Sequence, residues 1–304
     1  MATMSDAASN PSLPDEPDPN RRGFEAAGSA VSGSAIRLVI DRKRFRDPPT
    51  LALEGIEFVV DPGEFVVIVG PSGAGKTTLL NIVGGLDRDF EGRLDIGPSA
   101  LSAGSPQASN VRVSNARASN AKERIGYVFQ SPRLMPWLNA LDNVQLVRPR
   151  GGQADRQEAL ALLEEAGLGG FEDALPAKLS GGMQRRVAIA RAFHARPTLL
   201  LMDEPFASLD EPLAWRLREC LHDLWRRYRT TVLFVTHDLT EAISLGDRIL
   251  FFAPRPGRIV YEQAVDLPHP RGSGDPAVSE MRARLLADHP GLLAGGVGKE
   301  ASPG

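Results

Sequence analysis

The sequence predicts an α/β fold built around a parallel sheet, and three runs of residues predict it. The apolar run Phe65-Val66-Val67-Ile68-Val69 leads into a glycine-rich turn and then into helical residues over 78–83. Leu199-Leu200-Leu201-Met202 ends in the acidic pair Asp203-Glu204, and the β-rich run 231–236 ends in His237-Asp238. Each run is short, apolar throughout, and meets polar groups only at its carboxyl end. Strands buried on both faces of a parallel sheet, with a site at their carboxyl edge, have this pattern.

In chain order, residues 1 to about 35 are rich in Pro, Ser, Ala, Asp and Gly and read as a disordered leader. Runs 36–45 and 51–60 read as strands of an antiparallel edge region, closed by the turn Asp61-Pro62-Gly63. The turn after the first parallel strand is Gly70-Pro71-Ser72-Gly73-Ala74-Gly75-Lys76-Thr77, followed by Thr78. Its glycines let backbone N–H groups point inward, the helix start adds a partial positive charge, and Lys76 adds a full one. Together they form a cage for a polyphosphate. The Thr77 hydroxyl is suited to a Mg²⁺ ion bridging the outer phosphates. A chance glycine-rich turn is the alternative, and the strand before it and helix after it weigh against that.

Residues 99–121 are nearly all small and polar, with the quasi-repeat Ala108-Ser109-Asn110, Val113-Ser114-Asn115, Ala118-Ser119-Asn120. They read as a solvated loop insertion, a partner-binding or regulatory role being the alternative. A helical subdomain follows Gln130. Its clearest helix starts at Asp155 as N-cap, with Glu158 as capping-box partner, Leu160 and Leu163 on the buried stripe, and Gly167 as the stop. Leu179-Ser180-Gly181-Gly182-Met183-Gln184 opens a second helix with Ser180 as N-cap and Met183, Val187, Ala190 and Phe193 at helical spacing. Its two glycines expose N–H groups at a positive helix end, a second anion-binding terminus in one chain. One phosphate meets both termini only if the chain folds them together or two chains meet head to tail. Asp203 suits a Mg²⁺ shell, directly or through water, and Glu204 is placed to polarise an attacking water. His237 is a third polar group delivered to the same sheet edge. Beyond residue 268, Val278, Met281 and Leu285 mark a short amphipathic helix over 276–286.

The 304 residues are 42% hydrophobic, enough for a substantial core, with a formal net charge of −3. No long basic field invites nucleic acid. A single cysteine, Cys220, excludes an intrachain disulfide and lies beside the helical stripe Leu213, Leu217, Leu221, Leu224 and Tyr228. No apolar stretch approaches the ~20 residues that span a bilayer.

In this order the motifs resemble the ATP-binding subunit of an ABC transporter, over residues 36–268. The resemblance implies a P-loop ATPase core with an antiparallel β edge region and an inserted helical subdomain at about 131–196, with a short helix and tail over 269–304. It implies ATP and Mg²⁺ as ligands. The phosphate loop falls on Gly70 through Thr77, continued by Thr78, and the signature motif on Leu179 through Gln184. Asp203 is then the magnesium aspartate, Glu204 the catalytic glutamate, Ser208-Leu209-Asp210 the D-loop and His237 the switch histidine. Gln130, in Tyr127-Val128-Phe129-Gln130, matches the glutamine that senses Mg²⁺ and the attacking water. Ser180, Gly181, Gly182, Gln184 and Asp210 complete the nucleotide-contacting set. Phe45 matches the adenine-stacking aromatic; many relatives carry Tyr there, but stacking needs no hydroxyl.

Ser131-Pro132-Arg133-Leu134-Met135-Pro136-Trp137-Leu138 and Leu141-Asp142-Asn143-Val144 narrow the resemblance to import ATPases for nitrate, sulfonates and taurine. The Pro136-Trp137 pair either meets a permease or packs a turn onto the helical subdomain. The resemblance implies a homodimer at the cytoplasmic face of the inner membrane, integral-membrane permease subunits, an external solute-binding protein, and no nucleic-acid partner. A soluble non-transport ABC ATPase, or an importer ATPase for another small solute, is the alternative.

Overall fold

The computed structural model describes residues 33–97, 124–148, 152–207, 209 and 211–295. The insertion over 99–121, most of the leader, and Ser208 and Asp210 lie outside them. The strands are β1 (Ile36–Arg46), β2 (Pro49–Val60), β3 (Phe65–Val69), β4 (Glu91–Ile96) and β5 (Ile125–Val128). They continue with β6 (Leu199–Asp203), β7 (Thr231–Thr236), β8 (Arg248–Ala253) and β9 (Arg258–Ala264). The helices are α1 (Lys76–Val83), α2 (Ala140–Gln145), α3 (Gln153–Glu165), α4 (Gly181–His194), α5 (Glu211–Tyr228), α6 (Leu239–Leu245) and α7 (Pro276–Asp288).

One sheet has the order β5-β6-β7-β3-β8-β9, parallel except for β9 at its edge. Every residue of β3, β6 and β7 is buried, which is why these strands read as unbroken apolar runs. Alternate residues feed two cores. Phe65, Val67, Leu200, Met202, Val232 and Phe234 face helices through Phe193, Leu217 and Ile243. Val66, Ile68, Leu199, Leu201, Leu233 and Val235 face α1 and a second, antiparallel sheet, β2-β1-β4, through Leu79, Ile82, Ile36 and Leu38. The antiparallel edge region is therefore the cover of one face of the parallel sheet. Ser34, ahead of β1, already belongs to the folded domain: it is buried and its N–H donates to Thr198 O at 3.0 Å.

In the sheet, β7 lies between β6 and β3, with Asp203 opposite Val235 and Val69 opposite Thr236. Three segments far apart in sequence thus end side by side at one carboxyl edge.

The helical subdomain holds a correction. Asp155 does not cap α3; Gly152 does, and Asp155 lies buried in the first turn. Its carboxylate is drawn to Arg148 at 2.7 Å and to the fully buried His194 at 3.1 Å, while Glu158 bonds Arg148 and Arg196 rather than the backbone. The Arg148 ion pair and the His194 hydrogen bond outweigh the local cap. Burial holds the His194 imidazole below its ordinary pKa. Gly167, at φ +65, does stop the helix as expected, and Ala159, Leu162 and Leu163 form the buried stripe, with Leu160 partly exposed. Asp155→Ala leaves the buried His194 without its acceptor and Arg148 with Glu158 alone, and should cost about 1–3 kcal/mol. Urea unfolding checks this, and a loss near zero would mean the cluster is dispensable.

On α5, Leu217, Leu221 and Leu224 are buried and Cys220 is half-buried, its thiol pushed up to about 12 by burial, so it is an inert side chain. α7 is capped by Asp275 and buries Val278, Met281 and Leu285, the stripe the sequence predicts. Among the described residues no helix is long and apolar enough to cross a membrane.

Candidate active site

The chain leaves β3 at Val69 and folds into the glycine-rich loop. A Cβ on Gly70 would lie 2.7 Å from Phe252 O, and one on Gly75, at φ +88, 2.5 Å from Leu53 Cδ2. Both positions need the missing side chain, Gly75 doubly so because it is left-handed just before α1. Lys76 opens α1, is buried, and donates to Gly70 O at 2.7 Å and Pro71 O at 2.9 Å. Burial pulls its pKa down, while Glu204 and Asp203 push it back up. The ammonium is thus folded over its own loop, beside two carboxylates, on carbonyls that phosphate oxygens can replace.

Asp203 ends β6 and is buried. Burial raises its pKa, opposed by a Thr77 hydrogen bond and the Lys76 charge, with Glu204 adding to the rise. Glu204 follows at φ +43, a left-handed backbone that costs a non-glycine residue about 1–3 kcal/mol. Its N–H donates to Val235 O at 2.9 Å, and its Oε2 lies 3.3 Å from His237 Nδ1. His237 follows β7 in a turn fixed by its neighbours. Asp238 N–H donates to Thr236 Oγ1 at 3.0 Å, and the Asp238 carboxylate caps α6 by accepting from Thr240 N at 2.7 Å. The strained turn and the adjacency of β6 and β7 together aim Glu204 at His237.

Thr77, Gln130 and Asp203 line one cleft of about 580 Å³, together with Asn81, Tyr127, Arg133 and Arg185. A hydroxyl, an amide oxygen and a carboxylate converging there form an all-oxygen donor set that fits Mg²⁺. The segment after Gln130 is pinned by two residues that sequence reasoning missed as organisers. Arg191 donates to Pro132 O and Arg133 O, both at 2.9 Å. Asn143, fully buried on α2, accepts from Met135 N at 2.8 Å and donates to Met135 O, Leu138 O and Asn139 O. A buried amide satisfied on all sides holds its loop rigidly, and that loop presents Trp137, 72% exposed. Trp137 therefore does not pack inward onto the helical subdomain.

Ser180 caps α4, its Oγ accepting from Met183 N at 3.2 Å. Gly181 faces open space, whereas Gly182 is packed against Leu213. Neither they nor Ser180 line the cleft of their own chain. The Gln184 amide turns back to donate to Pro176 O at 3.0 Å and Leu179 O at 3.2 Å, so it braces the loop before α4. Phe45 is exposed near the end of β1, with Lys43 Nζ 4.8 Å from its ring centroid. It pairs with Thr50 of β2, whose Ala52 carbonyl would lie 3.2 Å from a Cβ on Gly75, so the β1–β2 hairpin ends beside the phosphate loop. The D-loop residues Ser208 and Asp210 are outside the described residues.

Comparison with known proteins agrees with this geometry. Residues 53–207 match the ABC transporter family model. The chain is 47% identical over 253 residues to the aliphatic sulfonates import ATP-binding protein SsuB 2 of Burkholderia lata, covering 83% of this chain and 85% of that protein. It is 40% identical over 255 residues to SsuB 1 of Pseudomonas savastanoi pv. phaseolicola, covering 84% and 96%. Among solved structures it is similar to the ATP-binding cassette MJ0796 in a dimeric post-hydrolysis state bound to ADP and Pi. That match has a TM-score of 0.62 and 33% identity, and covers 77% of this chain and all of the other. With a phosphate loop, an Asp-Glu strand end and a histidine turn on three neighbouring strands, and with these relatives over most of its length, the chain belongs to the ABC transporter family as an ATP-binding, ATP-hydrolysing subunit.

Proposed function

We propose that this chain energises import of a small anion, an aliphatic sulfonate first and taurine or nitrate next. It works as a homodimer on the cytoplasmic side of a separate membrane permease that an external solute-binding protein feeds. The convergence of Lys76, Asp203, Glu204 and His237 at one sheet edge carries the ATPase part of this reading. The sulfonate part rests on the names of the relatives.

In the mechanism, Lys76 and the N–H groups of Gly70, Ser72, Gly73, Ala74, Gly75, Thr77 and Thr78 hold the phosphates, with Pro71 shaping the turn between them, and Phe45 stacks on the adenine. Thr77, Asp203 and Gln130 would hold Mg²⁺, which would supply charge neutralisation at the outer phosphates. Glu204 orients and polarises a water whose oxygen bonds to the γ-phosphorus as the bridging oxygen leaves with ADP. His237 steadies the γ-phosphate and, 3.3 Å away, the Glu204 carboxylate. Ser180, Gly181 and Gly182 close over the γ-phosphate of a second copy; that they do not line their own chain's cleft supports a role across the dimer. Gln184 contributes by shaping that loop.

The test is ATP-driven uptake of labelled ethanesulfonate into vesicles carrying this chain and the permease encoded beside it. Uptake competed by other sulfonates is expected; ATP-driven uptake of a different solute class would overturn the sulfonate assignment. In the same system Trp137→Ala should melt with the wild type and bind ATP normally, yet recover several-fold less permease, because an exposed, rigidly presented aromatic suits an interface anchor. Wild-type recovery would remove Trp137 from the permease contact.

A further inference from the structure

Two guanidinium groups in the cleft beside Thr77, Gln130 and Asp203 have no ion pair among the described residues. Arg185 sits in the first turns of α4 and lines the cleft; its Nε is buried with no hydrogen-bond partner. Burial lowers its pKa, and no carboxylate pulls it back. Arg133 lies across the Phe129 ring at 3.8 Å from its centroid, on a backbone at φ +46 that Arg191 holds through the Arg133 carbonyl. Its charge and that of Asp203 both reach the Tyr127 hydroxyl, which lines the same cleft.

Among the described residues Asp203 is the only carboxylate lining this cleft, and its own partners are Thr77 and Lys76. The cleft therefore carries two cations facing one acid that is already engaged. The partly desolvated guanidinium of Arg185, without a counter-ion, is poorly accommodated until an anion arrives. The planar fork of arginine suits a tetrahedral oxyanion, which it holds through two parallel hydrogen bonds. Phe129 under Arg133 fixes the orientation of that fork.

We propose that Arg133 and Arg185 form a receiving site for inorganic phosphate, next to the phosphate loop but outside it. The source of that phosphate, cleavage of ATP, rests on the function proposed above; the anion site rests on the cleft alone. Once the bond to ADP is broken, phosphate is repelled by the remaining nucleotide phosphates. Two guanidiniums without an ion pair, lining the same cleft as Gln130 and Asp203, offer it a second place to bind. Arg185 then sets how readily phosphate leaves.

The test is binding of radiolabelled inorganic phosphate to the ADP-loaded full chain by equilibrium dialysis, with phosphate inhibition of ATPase turnover measured in parallel. Each lost charge-assisted pair weakens such an anion by roughly tenfold. Arg185→Gln and Arg133→Gln should each weaken phosphate binding and inhibition by about that factor, and the double variant by more. Arg284→Gln, an exposed change on α7, should leave both unchanged. Sulfate should compete. Should Arg185→Gln fold poorly, Arg133→Gln on the exposed loop carries the test alone. Wild-type phosphate affinity in both variants overturns the site, as does the absence of phosphate binding to the wild-type protein. Arginine-dependent phosphate binding in a chain that hydrolyses no ATP would keep the site and discard the function. Unchanged phosphate binding with loss of permease recovery would assign the two arginines to a carboxylate of the permease and overturn the proposal.

Discussion

Lys76→Ala weakens ATP binding by roughly 10²–10⁴-fold and abolishes turnover. The lysine contributes a full charge where the loop contributes only N–H dipoles, and each charge-assisted hydrogen bond to phosphate is worth about 1.5–3 kcal/mol, so two of them give about 3–6 kcal/mol. The side chain is buried and held over the loop, with Nζ 2.7 Å from Gly70 O. Its surroundings argue the same way, since Asp203 and Glu204 favour the charged form against the burial that opposes it. The variant exposes Gly70 O and Pro71 O to the cleft, where water can satisfy them, so the domain should keep its fold. Calorimetric titration with ATP and a phosphate-release assay measure the two losses, with circular dichroism as the control. A folded variant with unchanged affinity would move the phosphates to another part of the molecule.

How much of this was legible follows from where each signal resides. β3, β6 and β7 are buried on both faces, so their composition alone marks them, and the residues just past their ends fall at one edge because those strands are neighbours. Ser180 was readable as a cap because capping is decided within three residues. Asp155 looked like a cap for the same reason and is not one: Arg148 and His194 reach it from outside the helix, and no local pattern reports them. The Gln184 amide, likewise, answers carbonyls at Pro176 and Leu179 that only a folded loop brings within reach. Trp137 was visible as a residue but not as an exposed one. Its exposure depends on Asn143, whose four hydrogen bonds to the preceding loop carry no periodic signature. Arg185 was hidden in plain composition, one basic residue among several at the start of α4, and becomes distinctive only because it lacks a counter-ion in the cleft.

Glu204→Gln separates binding from chemistry. The amide keeps the size of the carboxylate and leaves Lys76, Thr77 and Asp203 in place, so ATP affinity should stay within a few-fold of the wild type. What disappears is the charge that polarises water, and removing a general base typically lowers turnover by about 10²–10⁴-fold. The backbone at Glu204 sharpens this expectation. Its left-handed φ of +43 and its N–H bond to Val235 O belong to the main chain, so the substituted side chain still leaves the turn toward His237. A large loss of rate therefore reports the missing charge and not a displaced turn. With hydrolysis blocked, two copies that close around ATP have no route to reopen, and the variant should run as a dimer on size exclusion with ATP and as the wild type without it. The comparison with His237→Ala completes the test. That variant keeps the carboxylate but removes the group 3.3 Å from it, so a smaller loss than for Glu204→Gln is expected. If His237→Ala abolishes turnover while Glu204→Gln retains it, the histidine is the base and Glu204 only orients it.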